Sequence, residues 1–171
     1  MTATEEAVLS PMYRTAELDD LPDIQIIDST AFRDRPYPYF VLKQLIEGST
    51  RCVVAVEPDT DGEDDVVGYA LTMADGGRAW LMSLAVSPER RGSGYGRGLL
   101  QRTVEVCLEK GDVDEILLTV DPKNRSAYNL FKDFGFVLHD RDERYFGDDE
   151  PRDVLIYKVH RVPDPLPALQ D

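Results

Sequence analysis

The chain has 171 residues, with 33 Asp and Glu against 19 Lys and Arg, which gives a formal net charge of −14. Hydrophobic residues make up 42% of the chain, too many for a disordered protein, and this length suits one domain with its own core. A field of this sign repels polyphosphate, so nucleic acid is excluded as the main partner. It suits a cationic or amine substrate.

The basic residues are mostly arginine, since only five of the 19 are lysines. Few lysines and many acidic residues resemble the proteins of haloarchaea, in which an acidic surface keeps a protein soluble in concentrated salt. The composition therefore predicts a halophilic archaeon as the source. That prediction concerns habitat and not activity.

The cysteines and the first residues indicate a cytoplasmic protein. Cys52 and Cys107 each lie in an apolar run, so we expect two buried free thiols and no disulfide framework. Residues 1–10 lack the apolar stretch of a signal peptide, and no apolar run approaches the ~20 residues that cross a membrane. We expect a cytoplasmic monomer or homodimer with no membrane contact. His139 and His160 have no cysteine near them in sequence, so no metal site is expected.

In the first half of the chain, apolar periodicity and turn residues predict six elements. These are a strand at 13–16, a helix capped by Asp19 or Asp20 and running to about Ala31, a second helix ending at Gly48, and strands at 51–57, 66–73 and 79–86. An acidic turn at 58–65 joins two of the strands.

In the second half, five further elements are expected. These are a helix that follows a glycine-rich loop and ends near Lys110, a strand at 115–120, a helix from Asn124 or Ser126 to Gly135, and strands at 136–140 and 154–159. Residues 1–12 and 161–171 are predicted as flexible tails around one domain at 13–160. The order β-α-α-β-β-β-α-β-α-β-β predicts a mixed α/β (α+β) fold with helices on both faces of the sheet.

The glycine-rich loop at 86–98 carries the chemistry. A strand runs into glycines that open a helix, an arrangement that holds a phosphate or pyrophosphate. The loop contains no lysine, which excludes the NTPase P-loop, and Arg97 and Leu99 stand where the dinucleotide fingerprint needs glycine. Arg90, Arg91 and Arg97 indicate a local positive field in an otherwise acidic chain.

Two motifs resemble the GNAT (GCN5-related) acetyltransferase superfamily. Arg91-x-x-Gly94-x-Gly96 is similar to the R/Q-x-x-G-x-G/A pyrophosphate loop of that family. The run that begins Asn124-x-x-Ala127 and ends Gly135-Phe136 is similar to its second cofactor motif, N-x-x-A-x-x-L-Y-x-x-x-G-F. The opening of the chain and Val67-Gly68-Tyr69 extend the resemblance over about residues 13–160.

This resemblance implies the GNAT fold, with a mostly antiparallel sheet of six to seven strands splayed in the middle and about four helices. It also implies acetyl-CoA as the cofactor. The strand before the loop would offer backbone groups to pantetheine, and the loop would hold the pyrophosphate. Asn124 would bind the pantetheine arm or position the thioester, with capping of its helix as an alternative or additional role. The implied cofactor residues are Leu84, Ala85, Val86, Arg91, Gly92, Ser93, Gly94, Tyr95, Gly96, Arg97 and Asn124.

Within the superfamily, the chain looks closest to the RimI-like and archaeal Ard1-like N-terminal protein acetyltransferases. Pro36-Tyr37-Pro38 and Arg144-Tyr145-Phe146 lie where that group has two loops around an acceptor groove. The resemblance implies acceptor contacts at Tyr37 and Tyr145, with ordinary packing as the alternative. A small amine or polyamine as acceptor, and a regulatory module that binds CoA without catalysis, stay open as alternatives.

The implied reaction is direct attack of an amine on the thioester of acetyl-CoA. The chain departs from the family at two positions, because Phe131 stands where the acid is usually Tyr and Thr119 stands where the base is usually Glu. Tyr128, one helical turn before Phe131, is the substitute acid that we predict, with core packing as its alternative. Asp121, Glu143 or a chain of waters could serve as the base.

Overall fold

The computed structural model describes residues 11–48, 50–58 and 62–160. Within them lie seven strands and four helices, in the predicted order. They are β1 (Met12–Thr15), α1 (Leu21–Ala31), α2 (Tyr39–Glu47), β2 (Arg51–Pro58), β3 (Asp64–Asp75), β4 (Gly77–Val86), α3 (Tyr95–Lys110), β5 (Val113–Val120), α4 (Arg125–Phe134), β6 (Val137–Asp142) and β7 (Arg152–Lys158). The predicted tails lie outside the described residues except for Pro11 and Met12, and Met12 already belongs to β1.

Several strand boundaries differ from the prediction by one or two residues, and so does one helix cap. The β3–β4 hairpin closes tightly on Gly76 and Gly77, whose φ angles of +58° and +84° let both strands run further than predicted. Strand β7 begins two residues earlier than predicted. The predicted side-chain cap of α1 is wrong, because the carboxylate of Asp20 instead accepts hydrogen bonds from Arg14 and from the backbone N–H of Glu17.

The strands form one sheet in the order β1-β2-β3-β4-β5-β7-β6. All neighbours are antiparallel except β4 and β5, which run parallel. These two strands pair from Gly77 with Val113 to Trp80 with Leu117, and their paired register ends there. The sheet is therefore splayed in its middle, as predicted.

The helices cover both faces of this sheet, which also confirms the prediction. One face carries a core in which α3 and α4 pack on the strands, including Leu99, Leu100, Ile116 and Phe131. The other face carries a second core under α1 and α2, including Ile24, Leu42 and Tyr69. The gap between β4 and β5 thus lies in a sheet with a packed core on each face.

Other predictions concern the whole chain. Cys52 and Cys107 are both buried and unbridged, and burial raises the pKa of the Cys52 thiol to about 12, so it stays protonated. In the part of the chain that the structure describes, no helix is both long and apolar enough to span a bilayer. Over the same residues, no group of three His, Cys, Asp or Glu is placed to hold a metal ion.

Candidate active site

The gap between β4 and β5 exposes backbone polar groups. A methyl group on Gly68 would lie 3.0 Å from the carbonyl oxygen of Ala85, so this carbonyl faces β3. Because successive residues of a strand direct their backbone groups to opposite edges, those of Leu84 and Val86 face the gap. Of the three predicted residues, Leu84 and Val86 therefore direct backbone groups into the gap, where a ligand can reach them, and Ala85 does not.

The glycine-rich loop leads into the N-terminus of α3. Gly92 and Gly94 have φ angles of +77° and +88°, a region that favours glycine, and the space beside both is open. Gly94 precedes the helix, and no side chain caps it. The first backbone N–H groups of a helix lack intrahelical acceptors, so those of Tyr95, Gly96 and Arg97 are available to an anion at the positive end of the helix dipole.

The other glycines of the loop have packing roles that the sequence analysis missed. A Cβ on Gly96 would lie 2.9 Å from Leu130 of α4, and one on Gly98 would lie 1.9 Å from the hydroxyl of Tyr13 on β1. These glycines let α3 approach α4 and the sheet closely. The open space beside Gly92 and Gly94 therefore suits a ligand, whereas the missing side chains of Gly96 and Gly98 make room for packing.

The three loop arginines differ in the contacts that their guanidinium groups make. The Arg90 guanidinium forms an ion pair with Glu57, which offsets its charge. Arg91 donates from Nε to the carbonyl oxygen of Val86 at 3.2 Å. The Arg97 guanidinium lies 5.5 Å from the ring centre of Phe134. The predicted positive field therefore rests on Arg91 and Arg97 rather than on all three.

Asn124 caps the next helix. Its side-chain oxygen accepts a hydrogen bond from the backbone N–H of Ala127 at 3.2 Å. Its side-chain N–H₂ group is not engaged by this cap, so the amide keeps two donors for a further partner. The capping alternative is therefore observed, and a contact with pantetheine is compatible with it.

Tyr128 forms a hydrogen-bonded group with β7 at the end of the gap. Its hydroxyl donates to Asp153 Oδ2 at 2.9 Å, and Arg141 Nε lies 2.8 Å from the other carboxylate oxygen. Burial and this hydrogen bond raise the pKa of Tyr128, which keeps it protonated. Phe131 is buried with its ring edge-on to Phe136, so that position belongs to the core.

A cleft of about 620 Å³ adjoins the glycine-rich loop. One wall is the segment 30–35 at the end of α1 and after it, and the other is the segment 149–152 leading into β7. Arg91, Asp121 and Lys123 line it between these walls. The cleft therefore reaches from the glycine-rich loop to the end of β5, where the sheet is splayed.

The predicted acceptor and base residues lie at different depths around this cleft. Asp121 is half-buried in the lining, whereas the side chain of Glu143 is 73% exposed and pairs with Arg141. Tyr37 packs against the core under α1 and α2, and its backbone N–H donates to the buried Asp28 at 2.7 Å. Tyr145 stacks edge-on against a neighbouring ring. Among the described residues, neither tyrosine lines the cleft, and their role in binding the acceptor stays a prediction.

A bridge between the two walls was not predicted. The Arg35 guanidinium forms an ion pair with Glu150 and lies 5.6 Å from the ring centre of Phe146. Arg152 lies 4.9 Å from the same ring. We call these four residues the wall bridge. No sequence signal indicated it, because Arg35 and Glu150 are 115 residues apart.

The comparisons with known proteins agree with this geometry. The profile of the acetyltransferase (GNAT) family matches residues 13–136. The chain belongs to the GNAT family. Membership makes this GNAT chain an acyltransferase, and it accounts for the splayed sheet and for the arginine-glycine loop before α3.

Relatives of this GNAT chain share most of its length. The N-alpha-acetyltransferase of Sulfurisphaera tokodaii is 30% identical over 149 residues, which span 80% of this chain and 86% of the relative. The ribosomal-protein-S18-alanine N-acetyltransferase of Escherichia coli superposes with a TM-score of 0.76 at 20% identity, over 92% of this chain and 99% of that structure. Arabidopsis thaliana NAA60, solved with acetyl-CoA, superposes with a TM-score of 0.77 at 18% identity, over 88% of this chain and 99% of that structure. At these identities, the two structures show the shared fold.

Proposed function

We propose that this chain transfers an acetyl group from acetyl-CoA to the N-terminal α-amino group of a protein. One observation carries the proposal. Arg91 belongs to the glycine-rich loop, bonds to Val86 beside the splayed gap and lines the cleft. A loop suited to phosphate, a gap suited to an amide-containing arm and an open acceptor cleft therefore meet at one residue.

The residues present fit the groups of acetyl-CoA, which supplies an acetyl group activated as a thioester. The uncapped N-terminus of α3 and the open side of Gly92 and Gly94 suit a pyrophosphate. The backbone groups of Leu84 and Val86 suit the amides of pantetheine. Leu84, Ala85, Val86, Arg91, Gly92, Ser93, Gly94, Tyr95, Gly96, Arg97 and Asn124 form the proposed cofactor site. Within it, the side chains of Ala85 and Tyr95 are buried, so these two residues would contribute backbone groups or packing and no free side chain.

The charge of the cleft favours a peptide N-terminus over a polyamine. Its lining holds five basic and four acidic side chains, although the whole chain has many more acids than bases: Arg33, Arg35, Arg91, Lys123 and Arg152 against Asp34, Asp121, Asp149 and Glu150. These nearly balanced charges offer a polycation no concentrated negative field. The name of the Sulfurisphaera relative, an N-alpha-acetyltransferase, supports the same choice.

Proton transfer is assigned to one residue directly after β5 and to one on α4. Asp121 is the proposed base because it lies in the cleft, and an α-amino group with a pKa near ~8 needs little help to lose its proton. Tyr128 is the proposed acid. Its raised pKa makes transfer to a thiolate unfavourable, so we expect a modest contribution from it.

The decisive experiment separates binding from transfer. Calorimetry with CoA measures binding, and thiol release from acetyl-CoA measures transfer to N-terminal peptides, spermidine and simple amines in high salt. We expect CoA binding and turnover with peptides. Turnover with small amines alone would replace the acceptor class, and binding without any turnover would favour a regulatory module.

A further inference from the structure

Glu57, at the end of β2, contacts both flanks of the glycine-rich loop. Within the loop, Arg90 lies before Gly92, and its Nε lies 3.0 and 2.9 Å from the two carboxylate oxygens of Glu57. Tyr95 lies after Gly94 as the first residue of α3, and its hydroxyl donates to the same carboxylate. One side chain on a neighbouring strand therefore joins the two ends of the loop.

The protonation states keep this clamp formed at neutral pH. Burial, together with the hydrogen bond to Glu57, raises the pKa of Tyr95 to about 12. The hydrogen bond from Tyr95 and the ion pair with Arg90 hold the pKa of Glu57 below its ordinary value. The carboxylate is thus charged and the hydroxyl protonated wherever the enzyme is assayed.

Between these anchors the chain is intrinsically free to move. Gly92 and Gly94 bracket Ser93, all three are exposed, and glycine has the largest conformational entropy to lose on ordering. A ligand that orders such a loop must offset that entropy. Anchors that order it beforehand reduce the cost of binding.

We propose that Glu57 is a positioning residue that clamps the glycine-rich loop through Arg90 and Tyr95 and thereby sets the affinity for CoA. The inference rests on the proposed function in that CoA is the ligand. Glu57 touches neither the gap nor the cleft lining, so its effect falls on cofactor binding and not on the acetyl-transfer step.

Two effects of removing the Glu57 charge oppose each other. Loss of the clamp weakens CoA binding, whereas a freed Arg90 attracts phosphate. Because the side chain of Arg90 is 45% exposed, salt screens this attraction. At ~1 M salt the Debye length is ~3 Å, which suppresses this attraction along with part of the ion pair, and the hydrogen bond from the uncharged Tyr95 hydroxyl is the part of the clamp that salt affects least.

The test uses the full chain in ~1 M salt, with CoA as the probe. We expect E57Q to weaken CoA binding about tenfold by calorimetry and to raise the KM for acetyl-CoA similarly, with kcat unchanged. Y95F keeps the ion pair and should show a smaller effect of the same kind. Hydrogen exchange in the free protein should show faster exchange of the amides at 92–97 in E57Q.

E115Q is the matched control. Like Glu57, Glu115 holds two side-chain partners, here Arg78 and Lys158, but it lies at the paired end of β5 away from the loop. It should leave CoA affinity and exchange at 92–97 unchanged.

An E57Q variant that binds CoA as tightly as the wild type, or more tightly, would overturn the role of Glu57 alone. A wild-type chain that does not bind CoA would overturn the proposed function and this inference together, so the two failures differ in which protein shows them.

Discussion

The proposed cofactor side and the proposed acceptor side of the site are built differently. The proposed cofactor side consists of backbone groups on β4 and at the start of α3, where the Tyr95 hydroxyl donates to Glu57. The proposed acceptor side consists of side chains on two connecting segments, joined by an exposed ion pair and by stacking on Phe146.

This difference should separate cofactor binding from acceptor binding in the enzyme. Backbone groups in regular structure are fixed by the hydrogen bonds of the whole sheet and helix, so the proposed cofactor site should depend on few side chains, chiefly the Glu57 clamp. Loop side chains contribute weakly and singly, so the acceptor site can change without changing the fold. We expect variants on the two sides to affect different kinetic parameters.

The largest effect is expected at Asp121, the proposed base in the cleft lining after β5. D121N keeps the oxygen that accepts the backbone N–H of Lys123 at 2.9 Å, so the fold should be retained. Loss of a general base should lower kcat/KM about 100-fold at pH 7. The loss should shrink above pH ~8, where the amine is already neutral.

E143Q removes the other candidate base outside the cleft and should leave the rate unchanged. A pH-independent loss in D121N, or a large loss in E143Q, would show that Asp121 is not the base.

A backbone change should damage the cofactor side alone. G94A places a side chain at a φ of +88°, and the strain of about 1–2 kcal/mol should weaken CoA binding about tenfold by calorimetry. G111A imposes similar strain at the opposite end of α3, where φ is +67°. It should lower thermal stability and leave CoA affinity intact, and equal loss of affinity in both variants would refute the local effect.

Tyr128 tests whether a side chain at the end of the gap, outside the two sides, also takes part in catalysis. Y128F should lower kcat about tenfold, a modest effect because the raised pKa of Tyr128 makes it a reluctant acid. It also removes a donor from the buried carboxylate of Asp153, which should cost about 1–3 kcal/mol of stability. D153N should destabilise the protein while retaining the hydroxyl, so an equal fall in kcat in both variants would assign Tyr128 a structural role.

The wall bridge should affect the acceptor side alone. R35A removes an exposed ion pair and a cation–π contact, which are together worth about 1 kcal/mol, so the KM for a peptide should rise several-fold. The KM for acetyl-CoA should not change. R144A removes a pair within one loop, at 3.9 Å from Asp148, and should leave both constants unchanged. A change in the KM for acetyl-CoA in R35A would show that the two sides are coupled.

The smallest effect is expected from pH on the Glu57 clamp. Because the native pKa of Glu57 is lowered, its stabilisation is complete above its unfolded pKa of 4.5 and is lost as the pH falls through the native value. The difference in unfolding free energy between wild type and E57Q should therefore be constant above about pH 5 and shrink below it. Urea unfolding at several pH values measures it, and a difference that grows on acidification would contradict the lowered pKa.

Sequence alone predicted the order of elements and the loop before α3, because both depend on local periodicity and on glycines at fixed spacing. It also predicted the departures at Thr119 and Phe131 from the family pattern. The predicted strand ends were wrong by two residues where turn geometry decides them, as at Gly76 and Gly77. The length of a hairpin depends on pairing across strands.

Contacts between residues distant in sequence came only from the tertiary structure. Nothing local to Glu57 indicates that it faces Arg90 and Tyr95, and nothing local to Arg35 indicates Glu150. The packing roles of Gly96 and Gly98 depend on where α4 and β1 lie. The sequence thus determined which backbone shapes are possible, and the packing of the elements decided which side chains meet, because a pair distant in sequence has no periodicity to read.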